Sequence, residues 1–342
     1  MKRTKRKTAV AALGLALGMM ATTGLAQITI PTVTVGDAGN ANDSTGFGGV
    51  SYVYSIAVKE VNLFQYTAFL NAVAKTDTYF LYNTDMGADL NVAGIQRTGS
   101  SGSYSYSVIG SGSRPVTYVS WFDAARFANW MANGQPTGAQ GNATTENGAY
   151  TLNGALDGVG FTKNAINPNT GTSTTWWIPS ENEWYKAAFY DPTKGGLGGY
   201  WVYPTLSDDA PGNVVGSAPN NANINNGVYS ITQDSNYSPS ENYLTDGGAF
   251  SSSGSYYGTF DQGGNVFEFN DAVIGDYRGR RGGYWGADAS YLSSSARGFD
   301  DAFAEYSYLG FRVASIPEPS TAGLMLVAGA AWLLRRRRKL TP

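Results

Sequence analysis

Not one of the chain's 342 residues is a cysteine or a histidine. Whatever the chain folds into holds together without disulfides. It also has no thiolate or imidazole to serve as nucleophile, general base or soft-metal ligand. Stability must come from a core, from hydrogen bonds and ion pairs, or from bound hard ions. The stretch between the two ends, roughly 290 residues, is long enough for one large core. Glycine supplies 44 residues, nearly twice the average share of about 7%. Aromatic residues are abundant, with 23 Tyr, 15 Phe and 8 Trp, so ordered loops pinned by aromatic packing are the natural architecture.

Both ends carry targeting patterns, which must be set aside before the middle is read. Lys2, Arg3, Lys5, Arg6 and Lys7 precede an apolar run from Ala9 to Met20, and Gly24-Leu25-Ala26 follows. That order predicts a secretory signal peptide over residues 1–26, cleaved after Ala26. A first membrane helix is the weaker reading, because the run falls short of the roughly 20 residues a span needs. At the other end, residues 315–342 read Ser315-Ile316-Pro317-Glu318-Pro319-Ser320, an apolar segment from Ala322 to Leu334, then Arg335 to Arg338 and Lys339. Basic residues after an apolar run stay on the cytoplasmic side. This tail resembles the PEP-CTERM sorting signal, with Pro317, Glu318 and Pro319 as its motif. The resemblance implies an exosortase-type processing protease, transient anchoring in the inner membrane of a Gram-negative bacterium, and delivery to the cell surface or extracellular matrix. On the residues alone, a short permanent anchor is the other reading.

Five basic residues lie in the leader and five in the tail, so residues 27–319 carry 13 Lys and Arg against 26 Asp and Glu, a net charge of −13. A domain that acidic repels nucleic acid and anionic lipid, so no nucleic-acid partner is expected, and the membrane is met only through the tail before processing.

Within the middle, residues 27–49 are rich in Thr, Gly and Asn and read as a flexible lead-in. A domain is expected over 50–314. Ser51 to Val58 alternates like a half-buried strand. In Val61 to Val73, residues Leu63, Tyr66, Leu70 and Val73 recur at three- and four-residue steps, which predicts an amphipathic helix. Arg114 to Ser120 reads as extended, and Trp121 to Met131 as a second helix capped by Ser120 with Asp123 in its first turn. The stretch 133–174 lacks periodicity, apart from a hairpin expected around Tyr150 to Phe161. Ser180 with Glu183 forms a capping box that opens a short third helix. Irregular chain follows over 190–258, and short strands run to Val313. Few regular elements and many loops give an α+β class with small twisted antiparallel sheets, and no repeat emerges at a fixed offset.

Five segments in order carry a family resemblance: Val61 to Leu70, Arg114 to Met131, Ile178 to Ala188, Gly258 to Phe269, and Arg281 to Val313. The last contains Arg281-Gly282-Gly283-Tyr284-Trp285, then Ala296-Arg297, then Gly310-Phe311-Arg312-Val313. Together they resemble the formylglycine-generating enzyme, or sulfatase-modifying factor, domain. The resemblance implies a loop-rich variant of the C-type lectin fold. In that family two cysteines bind copper and activate dioxygen, in the stretch that corresponds here to Trp285 to Ser295. Here that stretch reads Gly286-Ala287-Asp288-Ala289-Ser290-Tyr291-Leu292, and neither serine nor alanine offers Cu(I) a soft thiolate. No copper is expected. A histidine–iron branch that makes sulfoxides lacks its ligands in this chain as well. Family members usually carry an arginine where this chain has Trp177, and tryptophans where it has Phe267 and Phe269. A retained scaffold with a repurposed or lost site follows.

The segment Asp261-Gln262-Gly263-Gly264-Asn265-Val266-Phe267-Glu268 reads, on residues alone, as a glycine turn with Glu268 and Asn265 hydrogen-bonded to backbone. The resemblance implies instead a structural calcium held by the Asp261 and Glu268 side chains and the Gly264 and Val266 carbonyls. It implies a second calcium near Asn223, Ile224 and Asp234. Arg114, Arg281, Arg297 and Arg312 read as ties between loops, and Trp121, Trp130, Trp176 and Trp184 as core.

Three functional classes remain. The first is a non-catalytic surface or matrix module that binds an extracellular polysaccharide or surface protein through Trp285, Asp288, Tyr291 and Ser293, since tyrosine and serine make adaptable contacts at low entropic cost. The second is an unadvertised enzyme acting on an extracellular substrate with carboxylates such as Asp288 or Asp300. The third is the sulfatase-modifying activity itself.

Overall fold

The computed structural model describes residues 27–317. The leader, and the tail from Glu318 onward, lie outside the described residues. In chain order the elements are β1 (Thr32–Val35), β2 (Tyr54–Ala57), α1 (Leu63–Val73), the single turn α2 (Asp85–Ala88), β3 (Ile95–Thr98), β4 (Ser105–Val108) and α3 (Trp121–Ala132). They continue with β5 (Trp176–Trp177), α4 (Glu181–Phe189), β6 (Tyr190–Asp191), β7 (Gly199–Tyr200), β8 (Phe267–Ile274), β9 (Tyr277–Arg281), β10 (Gly298–Asp300), β11 (Leu309–Phe311) and β12 (Ala314–Ser315).

Two four-stranded sheets organise these elements. The first has the order β1-β2-β12-β5 and the second β10-β9-β8-β11. In the first, Val33 lies opposite Ile56, and Ala314 lies between Ile56 and Trp177. Both neighbours of β2 run antiparallel to it, so all four of its residues are buried where alternation predicted a half-buried strand. The second sheet holds one parallel pair, Phe267–Phe311 chain segments matched as Leu309 to Phe267 and Phe311 to Phe269. Two two-stranded hairpins, β3-β4 and β6-β7, complete the α+β architecture.

The three longer helices begin where their caps predict. Asn62, Ser120 and Ser180 each accept a backbone N–H three residues on, and Gln65, Asp123 and Glu183 each reach back to the cap. Each such box satisfies two otherwise orphaned donors. Helices α1 and α3 pack their aromatic residues into the main core, where the Tyr66, Phe69, Phe127, Trp130 and Phe311 rings meet at 5.2–6.4 Å. Trp121 and Trp184 are fully buried and Trp130 nearly so, as core tryptophans should be, while Trp176 is half-buried.

Three sequence expectations need correction. Residues 27–49 are not a flexible lead-in: β1 is a strand of the first sheet, Val35 is fully buried, and the Lys186 Nζ donates to the Gly36 and Asp37 carbonyls. Two β-branched valines on an edge beside β2 outweigh the polar composition around them. Residues 150–161 form no hairpin. Instead this loop is tied to Glu146, which accepts the Gly154 N–H and pairs with the fully buried Arg126. The extended reading of Arg114 to Ser120 holds only at its start, where Pro115 bridges Asn62 and the Val116 N–H donates to the Val61 carbonyl, because Tyr118 at φ +56° breaks the run.

Candidate functional site

The loop between β9 and β10 carries the residues where chemistry was sought. Its entry is fixed by glycine. Gly283 has φ +76°, and a Cβ there would stand 2.5 Å from the Leu292 side chain, so this turn tolerates no side chain. Beyond it, Ala289–Leu292 forms one 3₁₀ turn capped by Asp288, whose Oδ1 accepts from the Ser290 N–H and Oγ–H. The turn presents Tyr291 outward, 51% exposed.

Under this loop lies a cleft of about 370 Å³ lined by Phe267, Arg280, Arg281, Ser290, Tyr291 and the segment Ala296 to Gly298. The three guanidiniums are set by the elements around them. Arg297 and Arg281 share Glu181, the first residue of α4, with Arg297 binding it through both Nε (2.8 Å) and Nη2 (2.7 Å). Arg281 also donates to the Ser294 and Ala296 carbonyls, which anchors the end of the loop. Burial pushes the Arg281 pKa down, whereas the hydrogen bonds that the more exposed Arg297 donates to Glu181 push its own pKa up. Arg280 lies 3.8 Å from the Phe267 ring centroid and is ion-paired with Asp300. The cleft thus holds three guanidiniums against two carboxylates.

The structure separates the four residues proposed as a binding surface. Tyr291 and Asp288 are exposed and Ser293 is half-buried. Trp285 requires correction: it is 9% exposed and stacks inward on Tyr243 at 4.8 Å and 7°. A tryptophan that can bury most of its area against another ring does so. Of the two carboxylates considered for acid–base work, Asp288 has its pKa held down by Ser290, whereas burial raises that of Asp300, which is ion-paired with Arg280. The cleft residues Arg280 and Phe267 were not singled out together from sequence; their juxtaposition depends on the β8-β9 register, Phe269 to Arg280.

A larger cleft of about 830 Å³, between α1, Tyr104 and residues 137–140, has Lys75 as its one charged lining residue. Size alone does not make it the better site, because convergent polar groups are what orient a ligand.

The residues matched to calcium do not fit that ion as arranged. Glu268, fully buried, takes the Arg312 guanidinium in a fork, 2.5 Å from Nε and 2.6 Å from Nη2, and also accepts from the Trp184 Nε1. A carboxylate so neutralised has little left for a hard cation. Asp261 accepts the Gly248 N–H and has its pKa raised to about 6 by burial, and buried Glu60 nearby is pushed well up for the same reason. Gly264 has φ +84° and packs so closely on the Asn223 carbonyl that a Cβ would lie 2.4 Å from it, while the Asn265 N–H donates to that same oxygen. Close backbone approach, with no ion required, accounts for the glycine. At the second set, the Ile224 carbonyl accepts from Ser230 and Asn213, the Asn223 amide binds Tyr243 and Asn265, and Asp234 is exposed on its own turn with Asn236. Among the described residues, no group of three or more Asp or Glu forms a metal cluster.

Arg312 and the two arginines on Glu181 act as the loop ties expected of them. Arg312 reaches the Ala57, Val58 and Phe260 carbonyls besides Glu268. Trp177, standing where an arginine was expected, donates to Glu183 and lies 3.9 Å from the Lys163 ammonium.

No curated protein matches the chain. Among solved structures, CarF is 20% identical with a TM-score of 0.48, covering 85% of this chain and 99% of its own. The Treponema denticola variable protein 1 is 15% identical at 0.43 (84% and 95%), and PvdO from Pseudomonas aeruginosa is 14% identical at 0.42 (84% and 92%). These likenesses are distant and carry nothing about activity. The family match is direct: the sulfatase-modifying factor enzyme 1-like domain spans residues 50–316. With the glycine-bound turn after β9, the capped α4 and the buried Glu268–Arg312 fork all inside that span, the chain belongs to the sulfatase-modifying factor enzyme 1-like domain family.

Proposed function

We propose that this chain is a non-catalytic recognition module, exported by its leader, handled by an exosortase-type protease at its Pro-Glu-Pro tail, and displayed on the surface or in the extracellular matrix of a Gram-negative bacterium. The domain is read as a variant of the C-type lectin fold, its ligand an extracellular polysaccharide or a surface protein. One observation carries the reading. The loop that would hold the family's copper cysteines instead places Tyr291 and Ser290 over a cleft of guanidiniums, in a chain without a single thiol or imidazole. Such a cleft binds and orients, but its groups offer no activated nucleophile and no soft-metal ligand.

Two experiments test this. The full chain, screened against extracellular polysaccharides and surface proteins with calcium present, is expected to retain at least one ligand, and uniform lack of binding sinks the reading. Incubated with a cysteine-containing sulfatase peptide, copper and oxygen, it is expected to leave the cysteine unchanged. Conversion to formylglycine would restore the oxidase.

A further inference from the structure

We infer that the cleft between β9 and the Ala289–Leu292 turn selects sugars bearing a carboxylate, with a uronate ring lying on Tyr291 and its carboxylate held by Arg297 and Arg280. The inference rests on the recognition reading above and adds the chemistry of the ligand.

The charge balance points this way. The chain between its ends carries −13, yet in this cleft three guanidiniums meet only Glu181 and Asp300, so one positive charge is left over. Arg297 is the residue best placed to use it. Its Nε and Nη2 are taken by Glu181, its side chain is 36% exposed, and its Nη1 has no protein partner among the described residues. Arg280 similarly engages Asp300 and the face of Phe267 while lining the same cleft. Asp288 on the same loop keeps its charge, but it caps its own turn through both donors of Ser290 and does not line the cleft. Guanidiniums held at fixed angles by Glu181 and Phe267 suit a planar carboxylate better than a mobile ammonium would.

The aromatic side supplies the second half. The Tyr291 ring is half-exposed beside Phe267, at 6.2 Å and a near-perpendicular 78°, and its hydroxyl makes no hydrogen bond to the described protein. A flat ring with a free hydroxyl at its edge gives one apolar face for a pyranose and one polar tip for its hydroxyls. At about 370 Å³ the cleft sits at the small end of ligand sites, the size for a ring or two of a longer chain. An acidic peptide would meet the arginines without using the ring face. A polyuronate repeats its carboxylate, so many weak contacts add up across a displayed array.

The test uses the full chain and three probes: an oligogalacturonate, the same oligosaccharide methyl-esterified, and an oligoglutamate peptide. The uronate is expected to bind, with affinity that falls as salt rises, and the ester at least tenfold more weakly. Arg297→Gln should cost tenfold or more and Tyr291→Ala several-fold, each with the melting temperature checked. Because Tyr291 is exposed, its variant folds even where Arg297→Gln does not, and the ester needs no variant at all. Equal binding of ester and uronate would overturn the charge assignment and leave the recognition reading standing. Equal binding of oligoglutamate would overturn the sugar. If neither saccharide bound, while the wider screen found another ligand, the inference would fall alone; with no ligand anywhere, both fall.

Discussion

Arg312 sets the terms for the middle of the molecule. It is fully buried, and the Glu268 carboxylate in its fork, more than the neighbouring Glu60 and Asp261, holds its pKa up. Removing one partner of a buried pair leaves the other unpaired, at about 3–5 kcal/mol. Arg312→Leu is therefore expected to lower unfolding free energy by that amount in urea titration, and a loss below about 1 kcal/mol would show that Glu268 finds another partner or a proton. The same arginine was legible in the sequence as part of the Gly310-Phe311-Arg312 segment, but its partner was not. Glu268 stands 44 positions earlier, and only the parallel match of β11 with β8 brings Gly310 opposite it. A turn rich in glycine and acid looks the same in sequence whether a cation or a guanidinium neutralises it.

Local elements were readable where their signals are local. All three capping boxes depend on residues three apart, and two of them, at Ser120 and Ser180, were visible as cap residues followed by Asp123 and Glu183. Strand β1 was missed because its evidence is tertiary: four residues count as a strand only once β2 lies beside them. The cap at Ser180 also matters for the cleft, since Glu181 follows it directly. Ser180→Ala is expected to cost about 1 kcal/mol of stability, and to weaken uronate binding by letting the Glu181 platform fray. Hydrogen exchange at the start of α4, faster in the variant, is the measurement, and an unchanged rate there would detach the cap from the platform.

Over the whole molecule, buried acids give stability an unusual slope with pH. Burial raises Asp123 and Asp261 to about 6, Asp271 to about 7 and Glu305 to about 8, against about 4 in an unfolded chain. Each holds its proton in the fold between those limits, so the folded state binds more protons than the unfolded one. Their contribution is complete below about pH 4 and is lost as pH rises through the folded values. The melting temperature is expected to fall steadily from pH 5 to pH 8, and a flat or rising profile would show that these carboxylates are solvated. With Glu268 forked by Arg312, EDTA is expected to leave the melting temperature unchanged; a drop of about 5 °C or more would reveal a tightly held ion.

The order of the first sheet has a consequence for how the chain is made. Strand β12, ending at Ser315, is wedged between β2 and β5, so the hydrogen-bonding slot in the middle of that sheet stays vacant until nearly all of the domain has been synthesised. A polypeptide emerging from its N-terminus therefore keeps the central seam of that sheet open while the rest of the domain gathers around it. The last strand to emerge is the one that locks it.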